Sequence, residues 1–286
     1  MCMCKSVDPV GASANPVTLQ GMAKLEFSDY LKHIRDESRR FRDVLATCEP
    51  TARVPSCPDW NASDLLWHLT GVQGFWATTV RTRPAAPDEN EPDPPRPGSY
   101  DLLLAAFDEN SAALVSQLES ADPAETAWTW STEQSVGFIF RRQAHEALMH
   151  RYDAELAVQW CHGAGRELAA DGVLECLDVM FGGCPPWGEF AGLPHYVRVD
   201  ITDTDESVWV QIGRFSGTNP DDDVHYDEDD IRVVDDPGTE PDATVGGPAG
   251  ALDAWLWRRG DDSEIHIHGD RKVYDHFRVA VNHPIT

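Results

Sequence analysis

The hydrophobic period of this chain changes at Gly165, and that change limits the folds open to it. Before Gly165, apolar residues recur at the spacing of amphipathic helices; after it, short segments alternate with the two-residue period of half-buried strands. Phe27, Tyr30, Leu31, Ile34, Phe41, Val44 and Leu45 form one helical stripe within residues 25–48. A second helix is expected from a cap at Asn61 or Ser63 through His68 to about Arg81. Gly71 and Gly74 weaken its interior but permit close packing against a neighbour. After a proline-rich, acidic loop over residues 84–97, a third helix capped by Ser99 runs to Leu118, and a fourth runs from about Val136 to Trp160. Four helices with long connections predict a bundle, whose interior is where facing helices build metal sites.

Beyond Gly165, residues 168–181 read as one helix, and residues 196–201 and 207–212 as paired strands. Residues 221–230 contain seven acids and read as a solvated turn. Residues 231–234, 243–245 and 264–268 read as further strands, and residues 250–259 and 271–281 as helices. The expected fold class is an α-helical four-helix bundle over residues 22–164, then a smaller α+β domain over 165–286, preceded by a leader at 1–21.

An apolar fraction of 41% with ten tryptophans suffices for a sizeable core. A formal net charge of −26 argues against nucleic acid and anionic membranes as partners. The seven cysteines are scattered, with no Cys-x-x-Cys pair, no signal peptide before them, and no apolar run approaching the roughly 20 residues of a membrane span. A reducing cytoplasm is the expected compartment. Cys2 and Cys4 form a Cys-x-Cys pair that is either a weak metal binder or part of an unstructured leader.

Glu146 and His150 fall in the stretch 141–155, which has no glycine or proline. Four residues turn an α-helix by about 400° and raise it about 6 Å, so both side chains leave one face. The pair reads either as a surface i,i+4 contact or as two ligands of one metal ion. His68 decides between them only if its helix faces the fourth, and spacing alone does not establish that. Three N/O donors would leave an open coordination position, as catalytic metal sites do.

Two sequence signatures carry a resemblance. Val54-Pro-Ser-Cys-Pro-Asp-Trp-Asn-Ala-Ser-Asp-Leu-Leu-Trp-His-Leu69 and Glu146-Ala-Leu-Met-His-Arg-Tyr-Asp-Ala-Glu155 resemble those of the mycothiol-dependent maleylpyruvate isomerase family. Val245-Gly-Gly-Pro-Ala-Gly-Ala-Leu-Asp-Ala-Trp-Leu-Trp-Arg-Arg259, followed by Gly269-Asp270, is similar to its second domain, so the likeness spans most of the chain from about residue 22. It implies a DinB-like four-helix bundle, then a domain similar to sterol carrier proteins. It also implies a divalent metal, usually zinc, on His68, Glu146 and His150, and mycothiol as the thiol. Arg259 matches the family's functional arginine, for the substrate or the thiol. The family has Gly-Arg where this chain reads Arg258-Arg259, which bears on the backbone that aims that side chain.

The chemistry expected is activation of a small-molecule thiol. A thiol coordinated to a metal is deprotonated, and the thiolate is the nucleophile. In an isomerase it would add to an activated cis double bond, permit rotation and leave; in a transferase it would stay on the electrophile. Asp153 projects near the Glu146/His150 face and is either support for a ligand or a partner of Arg151. Arg151 is a second candidate for an anionic group, and Asp64 either orients His68 or answers the helix dipole. His145 leaves another face; Cys57 has no neighbour to activate it; Trp60, Trp67 and Trp76 read as core, and His266 and His268 as a wet strand face. Rival readings are a hydrolase using metal-bound water, a ferrous oxygenase site, and a ligand-binding protein whose bundle is scaffold. The expected partners are a small electrophile and a thiol, acting on a monomer or homodimer.

Overall fold

The computed structural model describes residues 24–88, 92, 94–160, 162–282 and 285. The leader expected at residues 1–21, with Cys2 and Cys4, lies outside them. The chain forms two compact units, Leu25–Gly163 and Ala164–Thr286.

The first unit consists of α1 (Phe27–Ala46), α2 (Ala62–Thr82), α3 (Tyr100–Ser120) and α4 (Val136–Ala157), with α1 packed on α4 and α2 on α3. Short polar side chains start three of the four. Asn61 and Asp64 form a reciprocal capping box at α2, and Ser99 and Ser135 accept from Leu102 N and Phe138 N at α3 and α4. Phe41, Leu45, Leu65, Leu66, Leu69, Leu103 and Phe107 fill one continuous core. Trp76 is buried as expected, whereas Trp60 and Trp67 are only partly covered and pack on the edge of that core.

Helix α4 is buried almost all round, including Arg141, Arg142, His145, His150, Arg151, Asp153 and Glu155. So many polar groups withdrawn from water must find partners inside the protein. The helix ends at Ala157 rather than Trp160, because Gln159 turns left-handed at φ 57° and Trp160 N closes back on Glu155 O at 2.9 Å.

The second unit begins with α5 (Arg166–Glu175), which passes into a π-helical segment, Cys176–Phe181. Periodicity predicts one helix there. The wider turn, with Gly182 N bonded to Leu177 O at 2.9 Å, is invisible to a period count. Then come β1 (Gly188–Ile201), β2 (Glu206–Thr218), β3 (His225–Val234), β4 (Ala243–Gly247), α6 (Ala249–Leu256), β5 (His266–Gly269) and α7 (Arg271–Ala280). The sheet order is β3-β2-β1-β4-β5, with only β1 and β4 parallel.

The acidic stretch 221–230 departs from its expected role as a turn. Its second half is strand β3, in register with β2 from Trp209↔Val234 to Thr218↔His225. Arg214 on β2 binds Asp227 at 2.7 Å and Asp229 at 2.9 Å, so strand pairing and cross-strand charge outweigh the weak strand propensity of aspartate. β3 lies at an edge of the sheet, where a row of charges discourages pairing with another chain. No helix among the described residues is long and apolar enough to cross a membrane.

Candidate metal centre

The site lies within the first unit. Nε2 of His68, from α2, stands 3.7 Å from Oε1 of Glu146 on α4, and Nε2 of His150 stands 3.1 Å from the same oxygen. One donor atom from each residue lies within 4.8 Å of the other two. The imidazoles meet edge to face, with ring centroids 4.7 Å apart. Donors of a tetrahedral zinc ion with bonds of about 2.0–2.1 Å are about 3.3 Å apart, so the spacing around Glu146 fits an ion of that size. Two imidazoles and a carboxylate are a donor set suited to zinc.

The neighbours of these donors decide how they are presented. Nδ1 of His150 lies 2.9 Å from Oδ2 of Asp153, which is fully buried. A carboxylate only accepts, so this contact keeps the proton on Nδ1 and directs Nε2 toward the cluster. Oδ1 of Asp153 accepts in turn from the Ser56 hydroxyl at 2.5 Å. Arg142, one turn before Glu146, donates to its Oε2 at 3.1 Å and leaves Oε1 facing the histidines.

The electrostatics follow from burial and charge. Burial opposes protonation of His150, yet its hydrogen bonds to Asp153 and Glu146 outweigh that and push it up to about 9. Burial opposes ionisation of Glu146, but His150, His68 and Arg142 hold it well below the usual carboxylate range. At His68 burial dominates and lowers the pKa, with the charge of His150 adding to it.

The other candidates lie elsewhere. Arg151 is 2% exposed and committed to other acids. Its Nε binds Glu37 at 2.7 Å and its Nη1 binds Glu155 at 2.8 Å and the His162 carbonyl at 2.6 Å. The structure thus gives it a part in joining α4 to α1. Asp64 receives the Asn61 N–H at 3.1 Å and Arg96 at 2.8 Å, which makes it a helix-start residue rather than a partner of His68. His145 is buried edge-on to Tyr30, and His266 and His268 are exposed on β5.

Arg259 belongs to the second unit, just past α6, where its Nη1 donates to the Trp257 carbonyl at 2.8 Å. The preceding Arg258 adopts φ 61°, the left-handed conformation that glycine takes without cost. An arginine therefore occupies the backbone conformation that suits the glycine of the Gly-Arg pattern.

Ser56 and Trp60 are not legible as site residues from the sequence, and Arg142 is a site residue that the sequence analysis did not name. Ser56 sits in an irregular loop without a period. Trp60 has core-like chemistry, but its ring lies 4.8 Å from that of His68. Arg142 was available from its spacing, four residues before Glu146.

Fold and site together define a helical bundle bearing a half-buried His/Glu/His donor cluster, followed in the same chain by an α+β unit. The sequence pattern of the mycothiol maleylpyruvate isomerase N-terminal domain matches residues 31–155, and that of the MDMPI C-terminal domain matches residues 167–276. The chain belongs to the mycothiol-dependent maleylpyruvate isomerase family of enzymes. Its fold is similar to crystal structures of a mycothiol-dependent maleylpyruvate isomerase and of a histidine-to-alanine mutant of that enzyme. Each aligns at a TM-score of 0.54 and 10% identity, over 86% of this chain and 95% of the other. A UbiJ-SCP2 ubiquinone synthesis protein aligns over 32% of this chain and 70% of its own, at 18% identity and a TM-score of 0.21. No functionally curated protein matched the chain by sequence.

Proposed function

We propose that this chain is a thiol-dependent isomerase or S-transferase in which His68, Glu146 and His150 hold a divalent cation, zinc by donor chemistry, and mycothiol is the thiol. The observation that carries the reading is the gathering of three donor atoms from α2 and α4 within 4.8 Å. A zinc ion held by these three residues would supply an open position at which a thiol would bind as its thiolate.

The chain's own residues supply the remaining requirements. Asp153 holds the His150 proton at Nδ1, and Arg142 fixes Glu146 by its outer oxygen. Arg259 is the residue proposed to pair with a carboxylate of the thiol or of the electrophile, a task that suits a planar guanidinium. The electrophile is a small molecule activated for thiolate attack, of the kind the family name describes.

The test is a turnover assay on maleylpyruvate with mycothiol, using protein stripped of metal and then reloaded with zinc. Activity should require both the thiol and the metal, and His68→Ala should abolish metal retention and turnover together. Turnover without any thiol would replace this reading with the hydrolase; full activity in stripped protein would remove the metal from it.

A further inference from the structure

The connection between α1 and α2, residues 47–61, reaches both histidines of the cluster, His68 directly and His150 through Asp153. Its Ser56 hydroxyl binds Asp153, the residue on Nδ1 of His150, and its Trp60 indole lies against the His68 ring at 4.8 Å between centroids. We infer that this loop is a clamp that sets the orientation of both imidazoles, Ser56 acting on His150 through Asp153 and Trp60 acting directly on His68. The inference rests on the reading of the three residues as metal ligands.

The loop is built rigidly enough for that task. Val54 is fully buried at its centre, Val54 N bonds Trp60 O at 3.1 Å, Cys57 N bonds Val54 O at 3.1 Å, and Trp60 N bonds Cys57 O at 2.8 Å. Its far end is tied to the start of α2, where Ala62 N meets Ala52 O at 2.9 Å and the Ser63 hydroxyl meets Pro50 O at 3.0 Å. A side chain on such a loop has little freedom, so it holds its partner in place rather than following it.

Chemistry favours orientation over mere satisfaction of a polar group. Asp153 is fully buried and accepts through its two oxygens from two donors, the Ser56 hydroxyl at Oδ1 and the His150 ring at Oδ2. Without the hydroxyl, the carboxylate loses the contact that holds its Oδ1, and the ring bonded to its Oδ2 is held less firmly. Carboxylates bonded to the outer nitrogen of a metal-binding histidine typically contribute about 10–100-fold to metal affinity. Ser56 and Trp60 are positioning residues in this sense, acting through the two histidines.

Zinc affinity, measured by competition with a chromophoric chelator, and the visible absorption of the cobalt(II)-substituted protein test this. Wild-type protein should bind one equivalent of either metal. Ser56→Ala should bind zinc more weakly, by up to about 10-fold, and alter the cobalt band, and Ser56→Thr, which keeps the hydroxyl, should restore both. Trp60→Ala should alter the same band. Wild-type zinc affinity together with an unchanged cobalt spectrum in Ser56→Ala would overturn the inference while leaving the ligand assignment intact. Failure of the wild-type protein to bind either metal would instead remove the ligand assignment, and the clamp with it. Should Ser56→Ala not fold, Ser56→Thr and Ser56→Val, alike in shape and differing in the hydroxyl, make the same comparison: equal affinities would overturn the inference.

Discussion

Nε2 of His150 lies 3.1 Å from Oε1 of Glu146 while its Nδ1 lies 2.9 Å from Oδ2 of Asp153, so one imidazole is held between two carboxylates on its own helix. Both ring nitrogens donate when the imidazole is charged, and that double contact pushes the pKa of His150 up. The same contact that favours the proton favours a cation in its place.

Zinc binding should therefore expel a proton. A ligating imidazole must be neutral at the donor nitrogen, and the Asp153 and Glu146 carboxylates push His150 up to about 9. Below that value, apparent zinc affinity should fall about tenfold per pH unit for one displaced proton. Calorimetry at neutral pH in buffers of different ionisation enthalpy should report about one proton released per zinc bound. Binding with no proton release would contradict the protonation assigned to His150.

Arg151 should matter for stability. It bridges Glu37 on α1 and Glu155 on α4, and Glu155 is fully buried, with Arg40 its other arginine partner. Arg151→Ala would leave buried negative charge poorly compensated and should cost about 3 kcal/mol in chemical denaturation. Arg151→Lys loses the fork that reaches both acids and should recover only part of the loss. A stable Arg151→Ala with a raised KM would instead assign this guanidinium to the substrate.

Arg258→Gly should raise stability. A non-glycine residue in the left-handed region costs roughly 1–2 kcal/mol, and at φ 61° Arg258 is such a residue. Glycine's greater freedom in the unfolded chain offsets part of the gain, leaving about 0.5–1 kcal/mol. Thermal or denaturant unfolding reads this directly. No change, or a loss, would show that the Arg258 side chain makes contacts worth more than the backbone relief.

The residues themselves determined a good deal of this protein. Asn61, Ser99 and Ser135 cap helices because a short oxygen-bearing side chain answers unpaired N–H groups wherever a helix begins. The i,i+4 relation of Glu146 and His150 needs nothing beyond helical geometry. The change of period at Gly165 separates a helical region from a mixed one because helices and strands bury their faces at different spacings.

Tertiary structure decided the rest. Residues 225–230 carry four acids yet are extended, because β2 supplies backbone partners and Arg214 supplies charge from a different segment. Asp153 meets His150 by its i,i+3 spacing on α4, whereas only packing against α1 brings Arg151 to Glu37. Whether His68 could meet Glu146 was beyond any reading of spacing, since it depends on how α2 lies against α4. Local patterns fix what a segment can form by itself; which distant side chains share a site is settled only when helices choose their neighbours.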